Sequence, residues 1–108
     1  MPDIRRATTF NGAAPGANTD ILASALTPKQ GATRARITCA FSHTTKLNLM
    51  VSDGSTTIAM GLNGNANLAT DAIHTFDFAV DASLTYNLQL SHDGVVDQLI
   101  WDDWIVNQ

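Results

Sequence analysis

The sequence has too few cysteines to form an intramolecular disulfide bond. Cys39 is the only cysteine among 108 residues, and it falls at an inward position of a predicted strand. We therefore interpret it as a small core residue and not as a reactive thiol. A domain of this length buries a modest fraction of its surface, and oligomerisation is the remaining way to add stability. We expect the chain to associate with copies of itself.

Long apolar segments are also missing. No apolar run approaches the length that spans a membrane, and no apolar stretch follows Arg5 and Arg6 as it would in a signal peptide. These absences argue against a membrane as a partner. They indicate a protein that is made in the cytoplasm and either stays there or leaves it as part of an assembly.

Glutamate is absent, and the charges that are present are unevenly placed. All six lysines and arginines lie in residues 1–46, which carry a net charge of +4, while residues 47–108 carry eight aspartates and a net charge of −8. The basic half lacks interleaved aromatic residues and is too sparsely charged to follow a phosphate backbone, so we expect no nucleic acid as a partner. Either this asymmetry steers contacts with other subunits or an acidic surface, or the two ends of one domain simply differ in charge.

Helical periodicity is missing after residue 30, and alternation takes its place. Ile37, Cys39 and Phe41 alternate with more polar neighbours, as in a strand with one buried face. The same pattern predicts further strands. The predicted strands are residues 33–41, 46–51, 56–60, 75–80, 85–90 and 95–106.

Turn residues separate these strands at intervals of about ten residues. Asp53-Gly54 is the strongest hairpin signal, because this pair favours a tight turn with positive φ. In the strand that returns from it, Ile58 and Met60 are expected to face inward. The sequence therefore predicts an all-β fold, a small antiparallel β-sandwich that is jelly-roll-like and has seven or eight strands.

The first eighteen residues show no periodicity. They contain two prolines and two glycines among small and polar residues. We expect residues 1–18 to form an extended or flexible N-terminal arm and residues 19–108 to form the β-sandwich domain. Ile4 and Phe10 are the apolar points at which such an arm can anchor. Residues 19–26 fit either one helical turn or a first strand.

The closing stretch, residues 95–106, holds both tryptophans and is apolar on both faces. Trp101 and Trp104 differ in parity, so they point to opposite faces of a strand, and the strand must be covered on both sides. Either both tryptophans are core residues or one of them lies in a subunit interface. Asp102-Asp103 interrupts the apolar run, and a bulge there would change the direction of Trp104.

The residues that can carry chemistry form no recognisable catalytic or metal site. The three histidines fall in or beside predicted turns, and Ser91-His92-Asp93 are sequence neighbours, whereas triad members usually converge from separate segments. Asp71, His74 and Asp77 are spaced by three, so one strand cannot present all of them on one face. We expect no enzymatic activity, no metal and no cofactor.

Glycan binding is a possible alternative use of the surface. β-Sandwiches commonly bind sugars through exposed aromatic, amide and carboxylate groups, and Asn63, Asn65, Asn67 and the tryptophans are the candidates here. Asparagine and glycine are also the residues that a loop with unusual backbone angles requires. Both interpretations of the loop stay open.

The order of features from about Thr19 onward forms one further pattern. A short apolar segment ends at a proline and is followed by a basic strand, a polar turn, a hairpin, an aromatic strand, a leucine-rich strand and a closing V-D-x-L strand. These features are residues 22–28, 32–37, 42–45, 46–60, 74–80, 84–90 and 96–99. This order resembles that of small β-sandwich virion proteins of tailed bacteriophages. The chain departs from them in its Trp101-Asp102-Asp103-Trp104 ending, where related chains are less aromatic.

The resemblance implies a structural role at the capsid surface of a virion. Such proteins decorate or cement the assembled capsid, frequently as trimers, so the implied partners are two further copies of the chain and the major capsid protein of a tailed phage. The residues that we assign to shell docking are Ile4, Arg5, Arg6 and Phe10, and those that we assign to the subunit interface are Trp101 and Trp104. The alternative is a receptor- or glycan-binding module on a phage tail or fibre.

Overall fold

The fold is built almost entirely from β-strands. The computed structural model describes residues 4–105. In chain order the elements are β1 (Arg5–Ala13), β2 (Arg34–Phe41), β3 (Leu47–Ser52), β4 (Thr57–Gly61), a 3-10 turn (Asn63–Asn65), β5 (His74–Ala79), β6 (Thr85–Leu90) and β7 (Val95–Trp104). The six strands expected after residue 30 are therefore confirmed.

The strands form two antiparallel sheets that pack face to face. One sheet has the order β1-β7-β2-β5 and the other has the order β4-β3-β6. β7 lies between β1 and β2 in the first sheet, and the chain changes sheets between β2 and β3 and again between β4 and β5. Such crossing between two sheets is typical of the two Greek keys of a jelly roll. The predicted all-β, jelly-roll-like sandwich is confirmed.

Residues 18–26 occupy the place of an eighth strand beside β6. The backbone N–H groups of Asn18, Ile21 and Leu26 donate to the carbonyls of Leu90, Leu88 and Tyr86 at 2.7, 2.8 and 2.7 Å. Only the pair Leu26 and Tyr86 forms a regular bridge. Of the two structures expected for this segment, it adopts an irregular, strand-like one, and it covers the edge of β6.

The core lies between the two sheets. The alternating residues of β2, β6 and β7 meet there, and Ile37, Phe41, Leu88 and Leu99 have no exposed surface. Cys39 lies among them, as expected, and burial raises the pKa of its thiol to about 12. A thiol with so high a pKa stays protonated at neutral pH, so it acts as an apolar core group.

The expectation that residues 1–18 form an extended or flexible arm is wrong for the part of them that the structure describes. Residues 5–13 form β1, which pairs with β7 at the edge of the four-stranded sheet. Phe10 packs against the core, and register shifts beside Ala7 and before Gly12 let the strand follow β7. The small and polar composition that indicated an arm is instead compatible with an irregular edge strand. Residues 1–3 lie outside the described residues.

The closing strand separates its two tryptophans as parity predicts, but Asp102-Asp103 form no bulge in it. Arg36 pairs with Asp102 and Ile37 with Trp101 without interruption. The irregularities fall on β1 and near Phe41 instead. Trp101 points inward and is fully buried, so assigning it to a subunit interface is wrong. Val106 lies outside the described residues.

Candidate interaction surfaces

Asp103 is a fully buried carboxylate that the chain satisfies internally. The Nε and Nη2 atoms of Arg5 donate to its two oxygens at 3.1 and 2.8 Å. The indole N–H of Trp101 and the backbone N–H of Lys29 also donate to it, at 3.3 and 3.4 Å. The bidentate pair raises the pKa of Arg5 through its hydrogen bonds with Asp103. Arg5 therefore joins β1 to β7 and has little freedom to dock on another protein.

A row of alternating charges crosses the outer face of the four-stranded sheet. Register places Arg6, Asp102, Arg36 and Asp77 side by side on β1, β7, β2 and β5. Arg6 Nε lies 3.0 Å from Asp102 Oδ1, and Arg36 Nε lies 2.8 Å from Asp77 Oδ1. The hydrogen bond to Arg36 lowers the pKa of Asp77. The charge asymmetry of the sequence is thus partly neutralised within one domain.

Trp104 lies on this outer face and is half-buried. The guanidinium carbon of Arg36 is 5.5 Å from the centre of its ring, within the range of a cation–π contact. Trp101 has a different environment, since its ring packs 5.3 Å from Phe78 and 5.5 Å from Tyr86 in the core. A subunit contact through Trp104 stays a prediction.

The four residues assigned to shell docking divide into two pairs. Arg5 holds Asp103 and Phe10 packs on the core, so both fix β1 to its own domain. Ile4 is exposed, and the side chain of Arg6 is exposed for 61% of its surface. The side chain of Arg5 is itself exposed for 40% of its surface, but Ile4 and Arg6 offer the most surface that another protein can contact directly.

Several of the candidate catalytic and metal-binding residues make other contacts. Ser91 Oγ lies 2.9 Å from His92 Nδ1 and accepts the backbone N–H of Lys46. His74 Nε2 lies 2.9 Å from the carbonyl of Ala69, while Asp77 binds Arg36. Within residues 4–105 no three histidine, cysteine or acidic side chains group as metal ligands do.

The asparagine loop after β4 has a conformational explanation. Asn63, Gly64 and Asn65 have φ values of 59°, 64° and 62°, a left-handed run that glycine and asparagine tolerate best. All three are exposed. The residue types that suggested a glycan site are therefore those that the turn itself needs.

The largest departure from the expected burial is in β4. Ile58 and Met60 point to the inner side, because they pair with Val51 and Leu49, yet they remain 61% and 52% exposed. β4 is the edge strand, and among the described residues none covers its inner side fully. The sequence predicted the direction of these side chains but gave no sign that the facing sheet stops short of them.

No protein-family model matches this chain, and no curated protein matches it. Across residues 4–105, the structure has no helix with the length and apolar character needed to cross a bilayer.

Proposed function

We propose that the protein is a non-enzymatic component of a tailed-phage virion that decorates or cements the capsid. The observation that carries this proposal is the jelly-roll strand order. Viral capsid proteins use this architecture, and so do lectin domains and cupins. Because one fold serves many functions, the surface has to discriminate between these classes.

The surface supports an assembly role. On the outer face Arg6 and Arg36 are engaged with Asp102 and Asp77 of the same chain, whereas several large apolar side chains are left exposed. The exposed large apolar residues are Ile4, Ile58, Met60, Ile73 and Val95. Of these, Ile58 and Met60 lie together on one face of β4. Exposed apolar side chains that lie together are typical of contacts between proteins, and an enzyme would instead need converging polar groups.

Docking on the shell is assigned to the start of β1. Ile4 supplies an apolar contact and Arg6 supplies a charge at the domain edge, next to Asp102. Arg5 and Phe10 act behind them as positioning residues, since they hold β1 on β7. This assignment keeps all four predicted residues but gives direct contact to two.

The test is cosedimentation of the purified protein with phage heads that lack it. The wild-type protein is expected to sediment with the heads, and the double variant Ile4→Ala, Arg6→Ala is expected to bind roughly tenfold more weakly. Lys46→Ala removes one positive charge elsewhere and is the matched control. Failure of the wild-type protein to bind heads would overturn the proposed function, and unchanged binding of the double variant would overturn the docking assignment.

The receptor- or glycan-binding alternative and the homotrimer stay predictions. Specific binding on a glycan array that is lost in Asn63→Ala or Asn65→Ala would favour the tail or fibre role. Three-copy assembly is implied by the resemblance and requires a contact that Trp101, buried in the core, cannot supply.

A further inference from the structure

β4 leaves one side of its backbone unpaired among the described residues. It lies at the end of the three-stranded sheet, next to β3 only. All five of its residues, Thr57–Gly61, are exposed. An edge strand presents backbone N–H and C=O groups that a further strand can pair with.

The other edges carry protection that β4 lacks. β1 holds Arg5 and Arg6 and has two register shifts, and β5 holds Asp77. Residues 18–26 cover β6 irregularly. By contrast, β4 reads TIAMG, and no charged residue or proline occurs anywhere in residues 54–70. Proteins usually place charge, proline or a bulge on an edge strand that must stay single.

The unpaired groups of β4 can be identified from the hairpin that precedes it. Asp53 N–H donates to the carbonyl of Thr56, and Leu62 N–H donates to that of Leu47. Thr56 and Leu62 are therefore hydrogen-bonded positions that face β3. Bonded and non-bonded pairs alternate in an antiparallel ladder, so Ile58 and Met60, which lie between them at steps of two, also bond to β3. Thr57, Ala59 and Gly61 therefore direct their N–H and C=O groups to the free edge.

We propose that β4 pairs antiparallel with β4 of a second copy of this chain, across a two-fold axis at Ala59. In this register Ala59 faces its equivalent and Thr57 faces Gly61, so every outward-directed group of the strand finds a partner. It is the one register that pairs all five residues. The contact is isologous, because the same strand serves both sides.

Side chains favour the same register. Ile58 of one copy lies opposite Met60 of the other in a non-hydrogen-bonded pair, where side chains approach most closely. Two such pairs form per dimer, and they shield the four most exposed apolar groups of the two strands. Because residues 54–70 are uncharged, pairing brings no like charges together. A neutral, self-complementary strand thus fits a second copy of itself.

The pair does not depend on the virion role, and it differs from the trimer that the resemblance implies. Contacts of this two-fold kind leave an unpaired β4 in any assembly with an odd number of copies. The molar mass in solution therefore distinguishes the two-fold pair from the trimer.

The test is light scattering behind a sizing column, at micromolar and millimolar chain concentration. The wild-type protein is expected to reach twice the 11.5 kDa chain mass. Ala59→Lys and Ala59→Asp, each alone, place like charges opposite each other at the axis and are expected to give monomers. An equimolar mixture of the two variants is expected to restore a dimer, since residue 59 meets residue 59 only across this axis. Thr75→Lys, on an exposed site of β5, is the control that leaves the dimer intact.

A wild-type monomer at all concentrations, or a trimer, would overturn the proposal. A dimer that survives Ala59→Lys, or that is not restored in the mixture, would place the contact elsewhere. Each variant is expected to keep the fold, because Ala59 is exposed and its N–H makes no bond within the chain's own sheet. Circular dichroism of each variant checks this.

Discussion

At the scale of single residues, two neighbouring arginines on β1 have different roles. Arg5 lies on the inner side and neutralises the buried carboxylate of Asp103, while Arg6 lies on the outer side against the more exposed Asp102. Adjacent positions of a strand point to opposite faces, so one residue of sequence separates a structural ion pair from a surface one. The sequence alone indicated the alternation but not which arginine meets the buried carboxylate.

Replacing each arginine by alanine tests this difference. Arg5→Ala leaves the buried Asp103 without its cation and is expected to lower the free energy of unfolding by about 2–4 kcal/mol. Arg6→Ala removes the same charge from an exposed pair and is expected to cost less than about 1 kcal/mol. Urea unfolding of the two variants measures both. Equal losses would show that Asp103 is satisfied without Arg5.

At the scale of elements, Asn87 fastens residues 18–26 to β6. Its side-chain oxygen accepts the N–H of Leu22 at 3.0 Å, and its amide donates to the carbonyl of Leu22 at 3.1 Å. Asn87 is one of few buried polar side chains in the described part of the chain. It replaces the ladder bonds that the irregular segment lacks.

Asn87→Ala is expected to loosen this segment. The change leaves both backbone groups of Leu22 without their partner, so unfolding free energy should fall by about 1–3 kcal/mol. Hydrogen exchange at the amides of Ile21 and Leu26 should quicken, whereas exchange in β3 should follow global stability alone. Gln89→Ala, which removes one exposed hydrogen bond to Asp20, is the control and should change stability by less than about 0.5 kcal/mol. Unchanged exchange at Ile21 would contradict the role of Asn87.

Sequence patterns sufficed for β2 to β7 because alternation and turn residues are local signals. They failed for β1, since Phe10 and Arg5 acquire partners only when β7, about ninety residues later, lies beside them. They failed in the same way for Ile58 and Met60, whose direction is local but whose cover depends on the width of the facing sheet. The docking and interface assignments were affected by the same limits. Trp101 is a core residue and Trp104 is half-buried, and among the four docking residues Ile4 and Arg6 are the most accessible.

At the scale of the whole molecule, the core responds to alkaline pH through Cys39. Its thiol has an ordinary pKa of 9.0 when unfolded and a pKa of about 12 in the fold. As pH rises above 9.0 the unfolded chain loses this proton first, so the stability that Cys39 contributes is complete below 9.0 and is lost toward 12. The variant Cys39→Ala has no thiol to titrate. The difference in unfolding free energy between wild type and variant should therefore narrow as pH rises from 9.0 toward 12. A constant gap in urea unfolding would contradict the burial of the thiol.

The molecule as a whole is a jelly roll whose charged side chains bind largely within the domain and whose apolar side chains are partly left outside. That distribution supports the proposed assembly with other proteins, and the proposed partner, the capsid of a tailed phage, rests on the resemblance. The measurement that tests this claim most directly is immunogold electron microscopy of purified phage particles from the strain that carries the gene, with antibody against the purified chain. Label on the capsid surface is the predicted result, and label confined to tails or fibres, or particles without label, would contradict it.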